Sequence, residues 1–292
     1  MGLQTTALHP AFAVETKAVD PHKPDMAAAI EAAVDTHAVL VMRGQWLDDD
    51  AQLAFSRLFG PLELPPSLGI RTTAQVGRVA EGLFDVSNLN ADGEIESPDS
   101  PRRQFGKADQ VFHTDSSFHA LPTKWSLLSA RIVPARGGET EFVDLRAVYA
   151  ALPEAMKRRI APLSAWHSIW HSRARAGFVL PPAEVRDRLP PVLQRLVRLA
   201  PDGRPTLFIG SHAAAIEGLD DAEGRALIDS LNDFATQPRF IYAHRWRAGD
   251  LVIWDNRCTL HRATPFDDIN EKRDMRRTTI MEHGPDRSAV AA

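Results

Sequence analysis

The sequence predicts an α+β protein that is mainly β, with a β-sandwich or jelly roll as its core and helices packed around it. Three observations point there. The C-terminal third breaks into short apolar strands, Arg239–His244, Leu251–Trp254, Thr259–Arg262 and Arg277–Met281, separated by turn residues. Helical spacing is confined to a few segments. No GxGxxG follows a strand, and there is no Walker loop or internal repeat, which argues against a doubly wound nucleotide-binding fold. No linker divides the 292 residues, so one domain over 1–292 is expected.

The elements follow in order. Asp25–His37 is Ala-rich with apolar residues at helical spacing, and Asp25 is placed to cap it. Ala38–Met42 reads as a buried strand closed by Arg43-Gly44. Asp48–Phe59 is a second helix whose first turn is acidic, where the helix dipole favours such charge. The polar, Pro- and Gly-containing stretch from about 65 to 110 reads as a lid, with a strand at Leu83–Ser87 and a turn at Ala91-Asp92-Gly93. Trp125–Val133 is a strand, Pro134–Thr140 a turn with paired glycines, and Glu141–Val143 another strand. Asp144–Ala151 and Pro153–Ile160 look helical, Leu163–Ser172 reads as a strand, and about 173–191 is a charged, Pro-rich insertion. Pro205–Gly210 is a strand and Asp220–Ala235 an amphipathic helix.

Composition narrows the partners. Hydrophobic residues make up 44% and charged residues 25%, as in a globular soluble protein. A net charge of −4 spread along the chain gives no reason to expect nucleic acid or an anionic membrane. The one cysteine, Cys258, has no intrachain partner and fits a reducing, cytoplasmic setting as a buried thiol. No apolar run reaches the ~20 residues a membrane span needs. Met1-Gly2 opens a myristoylation-like pattern, but the pattern is short and an irregular start is the reading adopted.

The chemistry gathers around VFHTDSSF, Val111–Phe118. His113 and Asp115 are two apart, so in an extended chain both side chains share a face and can hold one metal ion. Two His and one carboxylate on one side of a metal suit Fe(II) with positions left open. His261, in WDNRCTLHRA after a buried-looking strand, fits as the second imidazole; alone it reads as an ordinary core or surface histidine. Arg273, Arg276 and Arg277 follow in KRDMRRTTI. On a strand over Met275–Ile280, Arg273 and Arg277 share a face and Arg276 points away. Guanidinium groups recognise carboxylates bidentately, so the pair would bind two acids; an Arg-rich surface strand is the other reading. His167 and His171 are four apart in HSIWH and read as two satisfied histidines on a packed strand rather than a metal pair. A zinc hydrolase would want a general base beside the ligands, and none stands out. A non-catalytic jelly-roll binding protein has no need of an open metal site.

HTDSSF, GGETEF (Gly137–Phe142), WDNRCTLHRA and RDMRRTT together resemble the taurine dioxygenase/2,4-dichlorophenoxyacetate dioxygenase family of Fe(II)- and 2-oxoglutarate-dependent enzymes. LHPAFA, AFSRLFGPLE, VSNLNADG and LFIGSHAAAIEGL extend the resemblance over nearly the whole chain, with the aryloxyacetate branch the nearer match. It implies a double-stranded β-helix (jelly roll) core and a homo-oligomer. It implies that His113, Asp115 and His261 are the catalytic iron ligands, that Thr140 and Arg273 hold 2-oxoglutarate, and that Arg277 holds the acid of the substrate. O₂ is then consumed as 2-oxoglutarate becomes succinate and CO₂. The carbon next to the acid of an aryloxyacetate such as 2,4-dichlorophenoxyacetate is hydroxylated, and phenol and glyoxylate are released. Phenoxypropionates, cinnamates, taurine or other sulfonates and alkyl sulfates are the alternative substrates. Lys107 and His212 are further candidate substrate contacts. The stretch GKADQVF, Gly106–Phe112, departs from the family, as do the lid and the insertion, which bears on substrate identity rather than mechanism.

Overall fold

The computed structural model describes residues 3–17, 19–20, 23, 25–64 and 78–282. Met1-Gly2 and the 65–77 part of the expected lid lie outside them. The chain forms a mixed α+β fold organised on a seven-stranded sheet. Its strands run in the order Thr6–Ala7, Val14–Lys17, Val39–Arg43, Leu251–Asp255, Thr123–Ile132, Asp274–Met281 and Phe84–Asp85. All pairings are antiparallel except Val14–Lys17 on Val39–Arg43.

Side-chain alternation along these strands makes two cores. Leu40, Met42, Leu127, Leu251 and Ile253 point to one face, where Ile30 and Val34 of helix Met26–His37 and Phe55 of helix Asp49–Arg57 cover them. Val39, Val41, Leu128, Val252 and Trp254 point to the other, against Phe142 and Tyr242 of a second sheet. That sheet has the order Ile241–His244, Thr140–Asp144, Thr259–Ala263. Because both faces of the central strands are covered, their sequences are continuous apolar runs rather than alternating ones. A further layer joins strands Ala213–Ile216, Ser164–His167 and Val192–Arg195 to helix Asp221–Ala235 through Ala165, Ile216, Leu227, Ile228 and Leu231.

Most expected elements are found within a residue or two, with four differences. Asp25 has helical backbone and makes no side-chain cap bond. Asp48 caps the second helix as expected, accepting from Ala51 N at 2.8 Å. Leu163–Ser172 is a strand only over Ser164–His167; Ser168 then caps a helix, Ile169–Arg175. Burial of Ile169 and Trp170 against Phe118 draws that chain into a helix. Arg173 therefore sits inside a helix, and the segment after it carries a second, Ala183–Arg186, with Leu180, Val185 and Leu189 packed on the same cluster. Finally, HTD is not a strand: His113 makes an isolated bridge to His261, and a turn begins at Asp115.

That bridge carries two backbone bonds, His113 N to His261 O at 3.0 Å and His261 N to His113 O at 2.8 Å. Gly210 lies against it with φ +124°, where a Cβ would stand 2.9 Å from Leu260 Cδ2 and 3.2 Å from His113 Cα. Gly210→Ala is expected to cost about 1–3 kcal/mol in urea unfolding and to weaken metal binding by displacing His113.

Candidate active site

A cavity of about 930 Å³ opens beside the His113–His261 bridge, at the upper end of the roughly 300–1,000 Å³ usual for small-molecule sites. His113, Asp115, His212, Arg273 and Arg277 line it. One ligand atom from each of His113, Asp115 and His261 lies within 4.8 Å of the others, and all three residues are buried. His113 Nε2 stands 3.9 Å from Asp115 Oδ1, and His261 Nε2 stands 3.8 Å from Asp115 Oδ2.

Each ligand is held by its neighbours. His113 Nδ1 donates to Val111 O at 2.8 Å, which leaves Nε2 turned towards Asp115. The His261 ring is fixed by packing, 4.7 Å from Trp254 and 6.2 Å from Phe142 between centroids. Burial, with His113 and Arg277 nearby, pushes the His261 imidazole down to about 3, so it is neutral and able to bind metal at ordinary pH. Asp115 Oδ2 accepts from Ser126 Oγ at 2.6 Å, and Oδ1 accepts from Arg277 Nη1 at 2.7 Å. Burial works against this carboxylate, but Arg277, the two imidazoles and Ser126 outweigh it and hold it well below the usual range.

Three supports were not anticipated from sequence. Asn256 accepts from Trp254 Nε1 and Asp115 N and donates to Ser126 Oγ at 2.9 Å. Glu63 accepts from Ser116 Oγ at 2.8 and 2.9 Å and so braces a residue at φ +53° directly after the ligand. Ser126 itself is a polar residue within an apolar strand, the one sequence signal that could have pointed to it.

The arginines divide as the strand alternation requires. Arg276 faces away and pairs with Asp274, Asp85 and Asp49. Arg273 and Arg277 both face the cavity. Arg273 is buried, and its side chain touches only Val86 O at 3.4 Å; no carboxylate meets it among the described residues. Burial alone pushes its guanidinium down to about 10.

The remaining candidates separate. Thr140 is buried outside the cavity lining, and its hydroxyl accepts from Trp246 Nε1 at 3.0 Å. Lys107 lies at the cavity, exposed, with Nζ on Gln104 Oε1 at 2.9 Å. His212 lines the cavity with its ring 5.9 Å from that of His113, and burial drives its imidazole well below the usual range. His167 and His171 share no site. His167 Nδ1 meets Ser117 Oγ at 3.0 Å, while His171, on the helix, faces Arg225 at 3.3 Å.

Two imidazoles and a carboxylate whose ligand atoms converge beside one cavity, together with a buried guanidinium that meets no carboxylate among the described residues, define a non-haem iron oxygenase that uses an acidic cosubstrate. The chain belongs to the family described as taurine catabolism dioxygenase TauD, TfdA family, which matches residues 4–279, and it is a 2-oxoglutarate-dependent dioxygenase. It is 41% identical to the alpha-ketoglutarate-dependent 2,4-dichlorophenoxyacetate dioxygenase of Burkholderia sp. (strain RASC), over 96% of this chain and 95% of that one. It is 37% identical to the (S)-phenoxypropionate/alpha-ketoglutarate-dioxygenase of Sphingobium herbicidovorans, over 90% and 88%. A crystal structure of AAD-2 in complex with Mn(II) and N-oxalylglycine superposes with a TM-score of 0.91 at 41% identity, covering 98% of this chain and 99% of the other. No helix of the described residues is long and apolar enough to cross a membrane.

Two outcomes test this geometry. Ser126→Ala should weaken metal binding roughly 10- to 100-fold in a chelator competition, the usual cost of losing a bond to a ligand. His167, also pushed down to about 3 by burial, is protonated in the unfolded chain before the folded one. Its contribution to stability is complete above pH 6.5 and is lost as pH falls towards 3, about 2 kcal/mol by pH 5. Urea unfolding at pH 7 and 5 should show a shallower loss for His167→Gln than for the wild type.

Proposed function

We propose that the protein hydroxylates the carbon next to the acid group of an aryloxyacetate such as 2,4-dichlorophenoxyacetate, with release of a phenol and glyoxylate. The observation that carries this is the pair of cavity arginines flanking the His113, Asp115 and His261 group, one place for each of two acids. Relatives named for 2,4-dichlorophenoxyacetate and (S)-phenoxypropionate support the aryl acid.

The three side chains fit Fe(II) by donor type and spacing. Bound there, iron supplies the activation of O₂ and the oxidation of 2-oxoglutarate to succinate and CO₂. The protein supplies orientation and dryness. Arg273, buried and with no carboxylate partner among the described residues, neutralises the far carboxylate of 2-oxoglutarate. The Thr140 hydroxyl, accepting from Trp246, keeps its own proton to donate to that carboxylate. Arg277 holds the acid of the substrate, its guanidinium set over Phe84 at 4.7 Å. Fixing the acid leaves the adjacent carbon as the one presented to the ligands. That carbon also bears the ether oxygen, so its hydroxylated form is a hemiacetal that collapses to phenol and glyoxylate. Neutral His212, in the same cavity, offers a hydrogen bond rather than a charge to the substrate, and Lys107 meets its acid from the rim.

In this reading the facing sheets form a single jelly-roll domain over 1–292, with the insertion 173–191 completing one wall of the cavity. The enzyme works in the cytoplasm as a homo-oligomer on a small carboxylate, and not on nucleic acid or membrane; the buried Cys258 thiol fits a reducing setting. Phenoxypropionates, cinnamates, sulfonates such as taurine and alkyl sulfates would use the same chemistry.

Enzyme reconstituted anaerobically with Fe(II) and then given O₂, 2-oxoglutarate and a panel of these acids should form succinate and a phenol with aryloxyacetates. Succinate with taurine but with no aryloxyacetate would overturn the assignment. Arg273→Gln should raise KM for 2-oxoglutarate roughly 10- to 100-fold, as expected for a lost charged hydrogen bond. Arg277→Gln should raise KM for the aryl acid by a similar factor and leave that for 2-oxoglutarate nearly unchanged.

A further inference from the structure

The cavity wall holds a second ion pair that the chemistry above does not use. Arg173, from helix Ile169–Arg175, donates from Nη1 to Asp109 Oδ1 at 2.9 Å. Asp109 stands four residues before His113, and both members of the pair line the cavity. The Arg173 guanidinium lies over the Phe105 ring at 4.1 Å, and Phe178 braces that ring edge-on at 5.2 Å. Phe118 and Ile169 continue the apolar part of the wall.

Arg173 is only partly satisfied, while Asp109 keeps one oxygen open to the cavity. Arg173 is 8% exposed, and its Nε is buried without a partner among the described residues. The Asp109 side chain is 45% exposed, and its Oδ2 accepts no hydrogen bond among the described residues. Burial opposes the charge on Asp109, but Arg173, then His113 and Arg277, keep its carboxyl below the usual range, so the pair is ionised.

Such a wall discriminates between rings. A chlorinated or bare ring pressed against it strips water from the ion pair and gives no partner in return. A carboxylate there is repelled by Asp109. A hydroxyl answers both members, accepting from Arg173 and donating to Asp109, while the flat ring packs on the phenylalanines.

We propose that Arg173 and Asp109 determine substrate choice, selecting aryl acids that carry a ring hydroxyl over their chlorinated counterparts. This rests on the reading that aryl acids are oxidised at this site with the acid on Arg277. It adds that the distinguishing group on the ring is a hydrogen-bonding one.

The test uses the Fe(II) enzyme with saturating 2-oxoglutarate and the 2-, 3- and 4-hydroxyphenoxyacetates against the matching chlorophenoxyacetates. At least one hydroxy isomer should exceed its chloro partner in kcat/KM by about 10- to 100-fold, the ratio one unmade hydrogen bond produces. Arg173→Met, which keeps a stem over Phe105, should reduce that ratio to near unity, and Asp109→Asn should reduce it in part. Higher kcat/KM for the chloro isomer at every position overturns the proposal. So does a hydroxy preference left undiminished in Arg173→Met, or in Asp109→Asn should the first variant fail to fold. Turnover of neither series overturns the aryl-acid reading and the proposal with it, whereas turnover of both without preference overturns the proposal alone.

Discussion

Asp115 is a buried carboxylate with a donor on each oxygen, Ser126 on one side and Arg277 on the other, and an imidazole within 4 Å of each. Leaving such a group unpaired would cost several kcal/mol. Meeting that requirement ties the fold together. Ser126 belongs to strand Thr123–Ile132 and Arg277 to its neighbour Asp274–Met281. His261 comes from the opposing sheet, and Asn256 from the turn that links the two sheets. The metal site forms where the sheets converge, and the carboxylate is what each of them must satisfy.

The second constraint is charge. Arg273 and Arg276 are three residues apart and both buried, yet they live differently. Arg276 has three carboxylates within reach on the helix-covered face, whereas Arg273 has none among the described residues. A buried cation without an anion is costly enough that burial alone lowers its proton affinity. A binding partner that brings a carboxylate relieves that cost, and 2-oxoglutarate brings one beyond its metal-binding end. Arg277 differs again: its hydrogen bond to Asp115 links the residue read as holding the substrate to a metal ligand.

Much of this was legible in the sequence because it depends on local pattern. Buried runs such as Val39–Met42 mark strands, Asp48 and Asp220 mark helix starts, and the even spacing of Arg273 and Arg277 places both at the cavity with Arg276 opposite. The family motifs pointed to the three ligands, which the structure brings within 4.8 Å of one another. What was not legible depends on tertiary contact. The helix at Ile169–Arg175 follows from Trp170 packing on Phe118, which periodicity over ten residues does not encode. Glu63 and Asn256 look like ordinary loop polar residues until the fold carries them to Ser116 and Ser126. The bond of Thr140 to Trp246, and its place just outside the cavity lining, become visible only once the strands are paired.

The central claim is that His113, Asp115 and His261 hold one metal ion and Arg273 holds a carboxylate of 2-oxoglutarate beside it. Crystals grown with Mn(II) and 2-oxoglutarate, with diffraction recorded at the manganese absorption edge, test it directly. A single anomalous peak is predicted at bonding distance from one atom of each of the three side chains, with the far carboxylate of 2-oxoglutarate paired to Arg273. A peak elsewhere, or a cosubstrate whose far carboxylate rests on another cation with Arg273 still alone, would contradict it.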